Sequence, residues 1–143
     1  MTQQPVPSEY LSIGYTLEAE AEIMRGRVIC GSRRGYTKAE ELSLPKICDA
    51  IARIHQGFNE RGKPTLPCIV SEGHLIGRTG EEAYRERVFY CDFSQSPRIE
   101  RLDNATFQES VREYARELGK EFNQTRMYIE MDGRVEVWKM RLM

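Results

Sequence analysis

Two neighbouring arginines stand between glycines in residues 30–37, which read Cys-Gly-Ser-Arg-Arg-Gly-Tyr-Thr. A helix is predicted to begin soon after this segment, and the free N–H groups and positive dipole at a helix start attract anions. Arginine can hold a phosphate or a carboxylate through two parallel hydrogen bonds. Arg33 and Arg34 are therefore candidate ligands for a small anion, and Tyr36 could stack on a base. Alternatively, the two arginines are ordinary solvated charges of a loop.

A second glycine-rich stretch, residues 71–82, contains His74 and Arg78. A flexible loop could bring Arg78 over an anionic ligand, and His74 could donate a proton to it near neutral pH. This combination would suit an enzyme that processes a phosphoester. The alternative is that His74 is a surface histidine, because the sequence fixes no catalytic partner beside it.

The known catalytic and cofactor motifs are missing from the sequence. It contains neither of the phosphate-binding patterns GxxxxGK[ST] and GxGxxG, nor the GxSxG turn that presents a serine nucleophile. We therefore predict no cofactor and assign no catalytic residue.

The cysteines and clustered glutamates give only weak indications of a metal site. The four cysteines are too far apart to form a CxxC pair, so we interpret them as reduced thiols of the core: Cys30, Cys48, Cys68 and Cys91. Glu18, Glu20 and Glu22 would put carboxylates on one side of a strand. Such a row could bind a divalent cation, but a strand face in water has the same pattern. We therefore predict no metal site.

The composition is that of one globular domain. The chain has 143 residues, 40% of them hydrophobic and 30% charged, with a net charge of −1. This length fits a single core, and the charge balance argues against extensive nucleic-acid binding. Residues 1–8 predict a flexible arm before one domain at residues 9–143. The sequence has no apolar run of membrane-spanning length and no secretion signal in residues 1–7, which predicts a cytoplasmic protein without membrane contact.

The spacing of apolar residues predicts two helices among several strands. The first helix is expected to begin after Ser43, with Pro45 in its first turn, and to end near Gly57. The second is expected at a capping box in residues 106–109, followed by apolar residues every three or four positions. Strands are expected near residues 9–17, 66–70 and 87–93, residues 18–30 fit either a strand or a helix, and residues 71–82 are predicted to be a loop.

The end of the chain predicts a β-hairpin. Residues 127–131 and 134–138 are rich in strand-forming side chains and are separated by Asp132-Gly133. Because this pair tolerates positive φ angles, it favours the type I′ turn of a two-residue hairpin.

In chain order, these elements predict an α+β fold, namely a ferredoxin-like two-layer sandwich (βαββαβ with an added C-terminal hairpin strand). Helices would cover one face of its sheet. Tyr128, Trp138 and Met140 of the hairpin would then be apolar groups in need of a partner, which predicts a homodimer.

Arginines on glycine-rich loops, without a catalytic motif, favour a non-enzymatic binding or regulatory domain that captures a small anionic ligand, nucleotide- or phosphate-like. The predicted ligand-binding residues are Arg33, Arg34, Tyr36, Arg78 and His74. Two alternatives remain open at this point. One is a protein-interaction or inhibitor module that acts on a larger protein partner, and the other is a phosphoester-processing enzyme that uses His74.

Overall fold

The computed structural model describes residues 14–31, 41–95 and 101–140 of the chain. In this part of the chain five strands and two helices follow one another as β1 (Arg25–Gly31), α1 (Leu44–Glu60), β2 (Cys68–Thr79), β3 (Glu82–Ser94), α2 (Asn104–Glu121), β4 (Arg126–Met131) and β5 (Arg134–Lys139). The strands form one sheet in the order β2-β3-β1-β4-β5, and each neighbouring pair is antiparallel. The predicted α+β two-layer sandwich is confirmed.

Both helices lie on the same face of the sheet because every second strand residue is apolar and points towards them. On β1 the helix-facing residues are Gly26, Val28 and Cys30, and the register places Met131 and Ile129 of β4 beside the first two. The intervening residues, among them Arg27 and Ile29, form the opposite face, which neither of the two helices of the described residues covers. We call this second surface the open face.

The first helix follows its sequence signals closely. Ser43 is its N-cap, and the Ser43 side chain accepts a hydrogen bond from the backbone N–H of Lys46. Pro45 lies in the first turn, where its missing N–H costs nothing. The predicted start after Ser43 is confirmed, although the helix continues to Glu60, beyond Gly57.

The second helix begins earlier than its predicted capping box. Asp103 is the N-cap, and its carboxylate accepts a hydrogen bond of 2.8 Å from the N–H of Thr106. The prediction that the capping box at residues 106–109 starts this helix is therefore wrong, because the helix begins at Asn104 and Thr106 already lies in its first turn. Glu113 of α2 forms an ion pair with Lys63, at 2.5 Å.

The predicted loop at residues 71–82 is also wrong. These residues belong to a β2–β3 hairpin whose outer part extends beyond the sheet, since β1 pairs only with residues 88–94 of β3. Gly80 (φ 62°) lies in the turn of this hairpin, but the other two glycines have a strand function: a Cβ at Gly73 would lie 2.5 Å from the Tyr90 ring, and one at Gly77 would lie 2.5 Å from the Tyr84 ring. The rings need that space, so Gly73 and Gly77 mark cross-strand packing rather than a turn.

The C-terminal hairpin forms as predicted, with positive φ at Asp132 and Gly133 (52° and 71°). Its aromatic residues do not share a face, however. Tyr128 is opposite Val137 on the open face, whereas Trp138 is opposite the buried Met127 and lies on the helix side. The open face therefore presents Tyr128 without Trp138.

The core is anchored by Tyr114 of α2, whose side chain is fully buried. Its hydroxyl oxygen accepts a hydrogen bond from the backbone N–H of Leu66 at 3.1 Å and lies 2.6 Å from Nδ1 of His55. Burial lowers the pKa of His55 and raises the pKa of Tyr114 to about 12. A neutral His55 can accept a hydrogen bond from the Tyr114 hydroxyl at Nδ1, so this contact connects the two helices to the segment before β2.

The described residues before β1 form neither of the two alternatives expected there. Residues 15–24 have no helix or strand structure, and residues 9–13 of the expected first strand lie outside the described part, as do residues 1–8. Within the described ranges no helix is long and apolar enough to cross a membrane.

Candidate functional site

A cleft of about 1050 Å³ lies at the end of the sheet where β1 begins. One part of its lining is the segment of residues 20–23 before β1, and another is the turn between β4 and β5. The end of β3 and Arg101 complete the boundary. Clefts of this size are typical of small-molecule sites, so the cleft is the candidate functional site.

The floor of the cleft belongs to the open face of the sheet. In the strand register Asp92 of β3, Arg27 of β1 and Glu130 of β4 lie side by side. Arg27 donates from Nε to Oδ1 of Asp92 at 2.7 Å and from Nη2 to Oδ2 at 3.2 Å. Its guanidinium also lies over the Tyr90 ring, 4.4 Å from the centroid. One arginine is thus held in place by a carboxylate and an aromatic ring.

This arrangement affects the charge state of the floor. The hydrogen bonds that Arg27 donates to Asp92 raise the pKa of Arg27, and the nearby Glu130 raises it further, although desolvation opposes both. Arg27 therefore carries a fixed positive charge between two carboxylates. A ligand with both positive and negative groups finds complementary charges on the same row of the sheet.

The lining of the cleft as a whole has the same mixed character. The lining contains five carboxylates and four arginines, which are Glu20, Glu22, Asp92, Glu130, Asp132, Arg25, Arg27, Arg101 and Arg134. It also includes exposed apolar side chains, namely Ile23, Ile69 and Val135. One net negative charge with apolar surface favours a ligand that carries net positive charge and an apolar part.

Metal and thiol chemistry find no support in the part of the chain that is described. No group of three or more His, Cys, Asp or Glu side chains there could hold a metal ion. Hydrogen bonding to neighbouring thiols and burial raise the pKa values of Cys68 and Cys91, which disfavours the reactive thiolate. Cys30 and Cys91 are buried core thiols as expected, whereas Cys48 is exposed and that expectation was wrong.

The sequence-predicted site residues are not part of the cleft as far as they are described. Arg33, Arg34 and Tyr36 lie outside the described residues. His74 and Arg78 lie on the exposed outer part of the β2–β3 hairpin, where Arg85 donates to Nδ1 of His74 and Arg78 donates to the Glu81 carbonyl. A ligand role for these five residues stays a prediction.

The two regions lie at opposite ends of the sheet. The hairpin leaves the sheet near the pair Gly31 and Val88, whereas the cleft is at Arg25 and Arg27, the other end of β1. Sequence reasoning missed the floor residues because it treated each strand alone. A usable signal was present, since Arg27, Asp92 and Glu130 are charged residues that alternate with buried apolar neighbours on three strands.

No protein-family model matches this sequence, and no curated protein matches it. Two solved structures of a phage S-adenosylmethionine (SAM) lyase are similar in fold. The one in complex with S-methyl-5′-thioadenosine gives a TM-score of 0.55 at 14% identity over 90% of this chain and 97% of that chain. The other, in the apo state, gives a TM-score of 0.57 at 15% identity over 84% of this chain and 91% of that chain.

These similarities require a correction. The sequence favoured a non-enzymatic binding or regulatory domain for a small anion, but both of these structures with the same fold are of an enzyme, and one holds a nucleoside thioether. The non-enzymatic interpretation is therefore wrong. Its basis was the arginines on glycine-rich loops together with the missing motif, and a site assembled from separate strands need not contain a continuous motif.

Proposed function

We propose that this chain is a lyase that binds SAM in the cleft and breaks the bond between the sulfonium sulfur and the aminocarboxypropyl group. The products are S-methyl-5′-thioadenosine and a fragment derived from the amino acid. The observation that carries this proposal is the mixed-charge floor, Asp92-Arg27-Glu130, in a fold shared with a SAM lyase over nearly the full length of that protein.

The charges of the cleft suit this substrate. SAM has a sulfonium, an ammonium and a carboxylate, so it is cationic overall but carries one anionic group. Glu130 and Asp132 on the β4 side offer carboxylates to the positive groups. Arg134 at the adjacent turn and Arg27 on the floor offer guanidinium groups to the substrate carboxylate. The exposed Ile69 and Val135 provide apolar surface for the adenosine.

The proposed reaction needs no co-reactant. The substrate carboxylate attacks the carbon next to the sulfonium, so that a C–O bond forms while the C–S bond breaks and its electron pair stays on sulfur. No proton is transferred, and the positive and negative charges cancel as a lactone and a neutral thioether form. Since the reacting atoms belong to one molecule, the protein contributes by orienting the carboxylate towards that carbon and by excluding water.

The direct test is to incubate the purified chain with SAM and to follow S-methyl-5′-thioadenosine and homoserine lactone by chromatography and mass spectrometry. We expect both products in equal amounts. S-adenosylhomocysteine, which lacks the sulfonium charge, should bind much more weakly. Absence of thioether release at any enzyme concentration, together with no binding of SAM in a calorimetric titration, would exclude the proposal.

A matched pair of variants tests whether SAM binds in the cleft. Glu130→Gln removes a carboxylate from the floor and should weaken SAM binding by about 10-fold to 100-fold, the usual effect of one charge-assisted contact. Glu86→Gln removes a carboxylate from the exposed β2–β3 hairpin, outside the cleft, and should leave binding unchanged. An equal loss of SAM affinity in both variants would mean that binding depends only on the overall charge of the protein.

We further propose that the chain is a homodimer and acts in the cytoplasm. Exposed apolar side chains on the open face and on β5 support self-association, among them Tyr128, Val135 and Val137. Free cysteines, two of them buried, suit a reducing compartment. Analytical ultracentrifugation over a range of protein concentrations tests the dimer.

A further inference from the structure

A second groove of about 240 Å³ lies between α2 and the β4–β5 hairpin, at the end of the hairpin away from the cleft. Its apolar surface comes from both the helix and the strands, namely from Ala115, Gly119, Met127, Ile129, Trp138 and Met140. A cavity of about 150 Å³ already holds a benzene ring, and sites for drug-sized ligands start at about 300 Å³. The groove therefore has room for a small ring system but not for a ligand as large as SAM.

Trp138 gives the groove an aromatic surface with a fixed orientation. This residue is 53% exposed, and its Nε1–H donates to Oε1 of Glu136 at 3.0 Å. Glu136 is in turn held by two hydrogen bonds from Arg112, at 2.9 Å and 2.7 Å. Because the indole is already positioned, a ring can pack on it without the cost of ordering the side chain.

The wall of the groove on α2 carries three cations at intervals of four residues, Arg112, Arg116 and Lys120. The outer two each have a carboxylate partner, since Arg112 pairs with Glu136 and Lys120 pairs with Glu117 at 3.5 Å. Arg116, between them, has no ion pair with any residue that the structure describes. Like charges at this spacing repel one another, so an anion bound at Arg116 would relieve the repulsion along the row.

The charges around the groove are unbalanced as a whole. Its described lining contains four basic side chains, the fourth being Lys139, and no carboxylate. The cleft differs in this respect, because its lining mixes carboxylates with arginines. The register also places Lys139 opposite Arg126, and neither forms an ion pair within the described ranges. Positive charge beside an apolar floor is complementary to a ligand with an anionic group on an apolar body.

We propose that this groove is a second ligand site, which binds a small aromatic anion with its ring packed on Trp138 and its anionic group on Arg116. The guanidinium of Arg116 can hold a carboxylate or another oxyanion through two parallel hydrogen bonds. The ligand class is therefore a planar ring system of up to two fused rings that carries one oxyanion. This site is separate from the cleft, and the proposal depends neither on the SAM chemistry nor on the dimer.

A fluorescent probe of this class, dimethylaminonaphthalene sulfonate, tests the site on the full chain. The probe accepts excitation energy from tryptophan, and Trp138 is the only tryptophan of the chain, so energy transfer reports binding beside it. We expect saturable transfer to the sulfonate. The matching sulfonamide has the same rings but no charge, and it should bind at least about tenfold more weakly. Without saturable transfer to the sulfonate the site is refuted, and equal affinities of the two probes would refute its preference for anions.

Two variants locate the anionic group. Arg116→Gln should weaken binding of the sulfonate by about tenfold and leave binding of the neutral sulfonamide unchanged. The matched control is Arg78→Gln, which removes an exposed arginine from the β2–β3 hairpin and should change neither affinity. If the two variants bind the sulfonate equally well, Arg116 does not hold the anion and the proposal fails.

Competition against the bound probe distinguishes a small molecule from a protein segment. Naphthalene carboxylate should displace the sulfonate from the groove, because it presents a ring and an oxyanion together. A peptide of four glutamates carries more negative charge but no ring, and it should not displace the probe. Displacement by the peptide and not by the carboxylate would mean that the groove takes an acidic protein segment, and would overturn the proposal.

Discussion

Arg27 of β1 and Asp92 of β3 are joined by two hydrogen bonds across the floor of the cleft, although 65 positions separate them in the sequence. Both side chains remain partly exposed, at 42% and 35%. An exposed pair of this kind contributes only about 0–1 kcal/mol to stability. Its importance is therefore positional: Asp92 fixes the direction in which Arg27 presents its charge.

Asp92→Asn should separate the contribution of this pair to stability from its role in orienting Arg27. The amide keeps the shape of the side chain but loses its charge, so Arg27 becomes free to turn and the cleft loses a carboxylate. We expect the KM for SAM to rise by about tenfold while Tm stays nearly unchanged. The matched control is Glu136→Gln, which removes the carboxylate of a similar two-bond pair, with Arg112, outside the cleft. An unchanged KM in Asp92→Asn would contradict the placement of the substrate on this floor.

Tyr114→Phe should destabilise the fold by about 1–3 kcal/mol. The variant leaves the buried N–H of Leu66 without an acceptor and removes the partner of His55. Urea unfolding measures the change in the free energy of unfolding. Tyr128→Phe, at an exposed position of the open face, provides the comparison and should be nearly neutral. Equal effects of the two variants would show that the hydroxyl of Tyr114 does not support the core.

Gly26→Ala should also destabilise the fold, because helix α2 packs directly on this glycine. An added Cβ would lie 2.8 Å from Cγ2 of Val111 and 3.1 Å from Cγ of Met131. Overpacking of this kind costs about 1–3 kcal/mol. Since Gly26 also lines the cleft, the displacement of β1 should lower SAM affinity.

A second substitution, Val111→Ala, tests the steric explanation for the effect of Gly26→Ala. Val111→Ala removes the two methyl groups that the new Cβ would approach. In the Gly26→Ala background this second change should therefore cost less stability than it does in the wild type, as a double-mutant cycle measures. Simple additivity of the two changes would rule out the steric explanation.

Acid stability should depend on Glu136. The two hydrogen bonds from Arg112 lower the pKa of Glu136 from its usual 4.5 to about 2. The unfolded chain therefore takes up a proton at this carboxyl at a higher pH than the folded chain does, and the stabilisation is complete above pH 4.5 and lost as the pH falls towards 2.

Urea unfolding of the wild type and of Glu136→Gln from about pH 6 to about pH 3 measures this contribution. The stability difference between the two proteins should shrink as the pH falls. A difference that stays constant over this range would mean that the Arg112 contact does not lower the pKa of Glu136.

Local sequence determined the elements whose signals lie within a few residues. Ser43 and Pro45 set the start of α1, and Asp132-Gly133 set the turn of the last hairpin, because capping and positive φ are properties of neighbouring residues. The order of these elements along the chain was sufficient to predict the two-layer α+β sandwich. The glycine signal misled where a long-range contact changed its meaning, as at Gly73 and Gly77, which make room for tyrosine rings of the facing strand.

Only the tertiary structure decided where the candidate site lies. Arg27, Asp92 and Glu130 belong to three strands, and they become neighbours because β1 pairs with β3 on one side and with β4 on the other. Strand order depends on packing of the whole core, and no local signal in these strands encodes it. For the same reason the cleft and the hairpin that carries His74 and Arg78 lie at opposite ends of one sheet, a separation that the amino-acid sequence does not express.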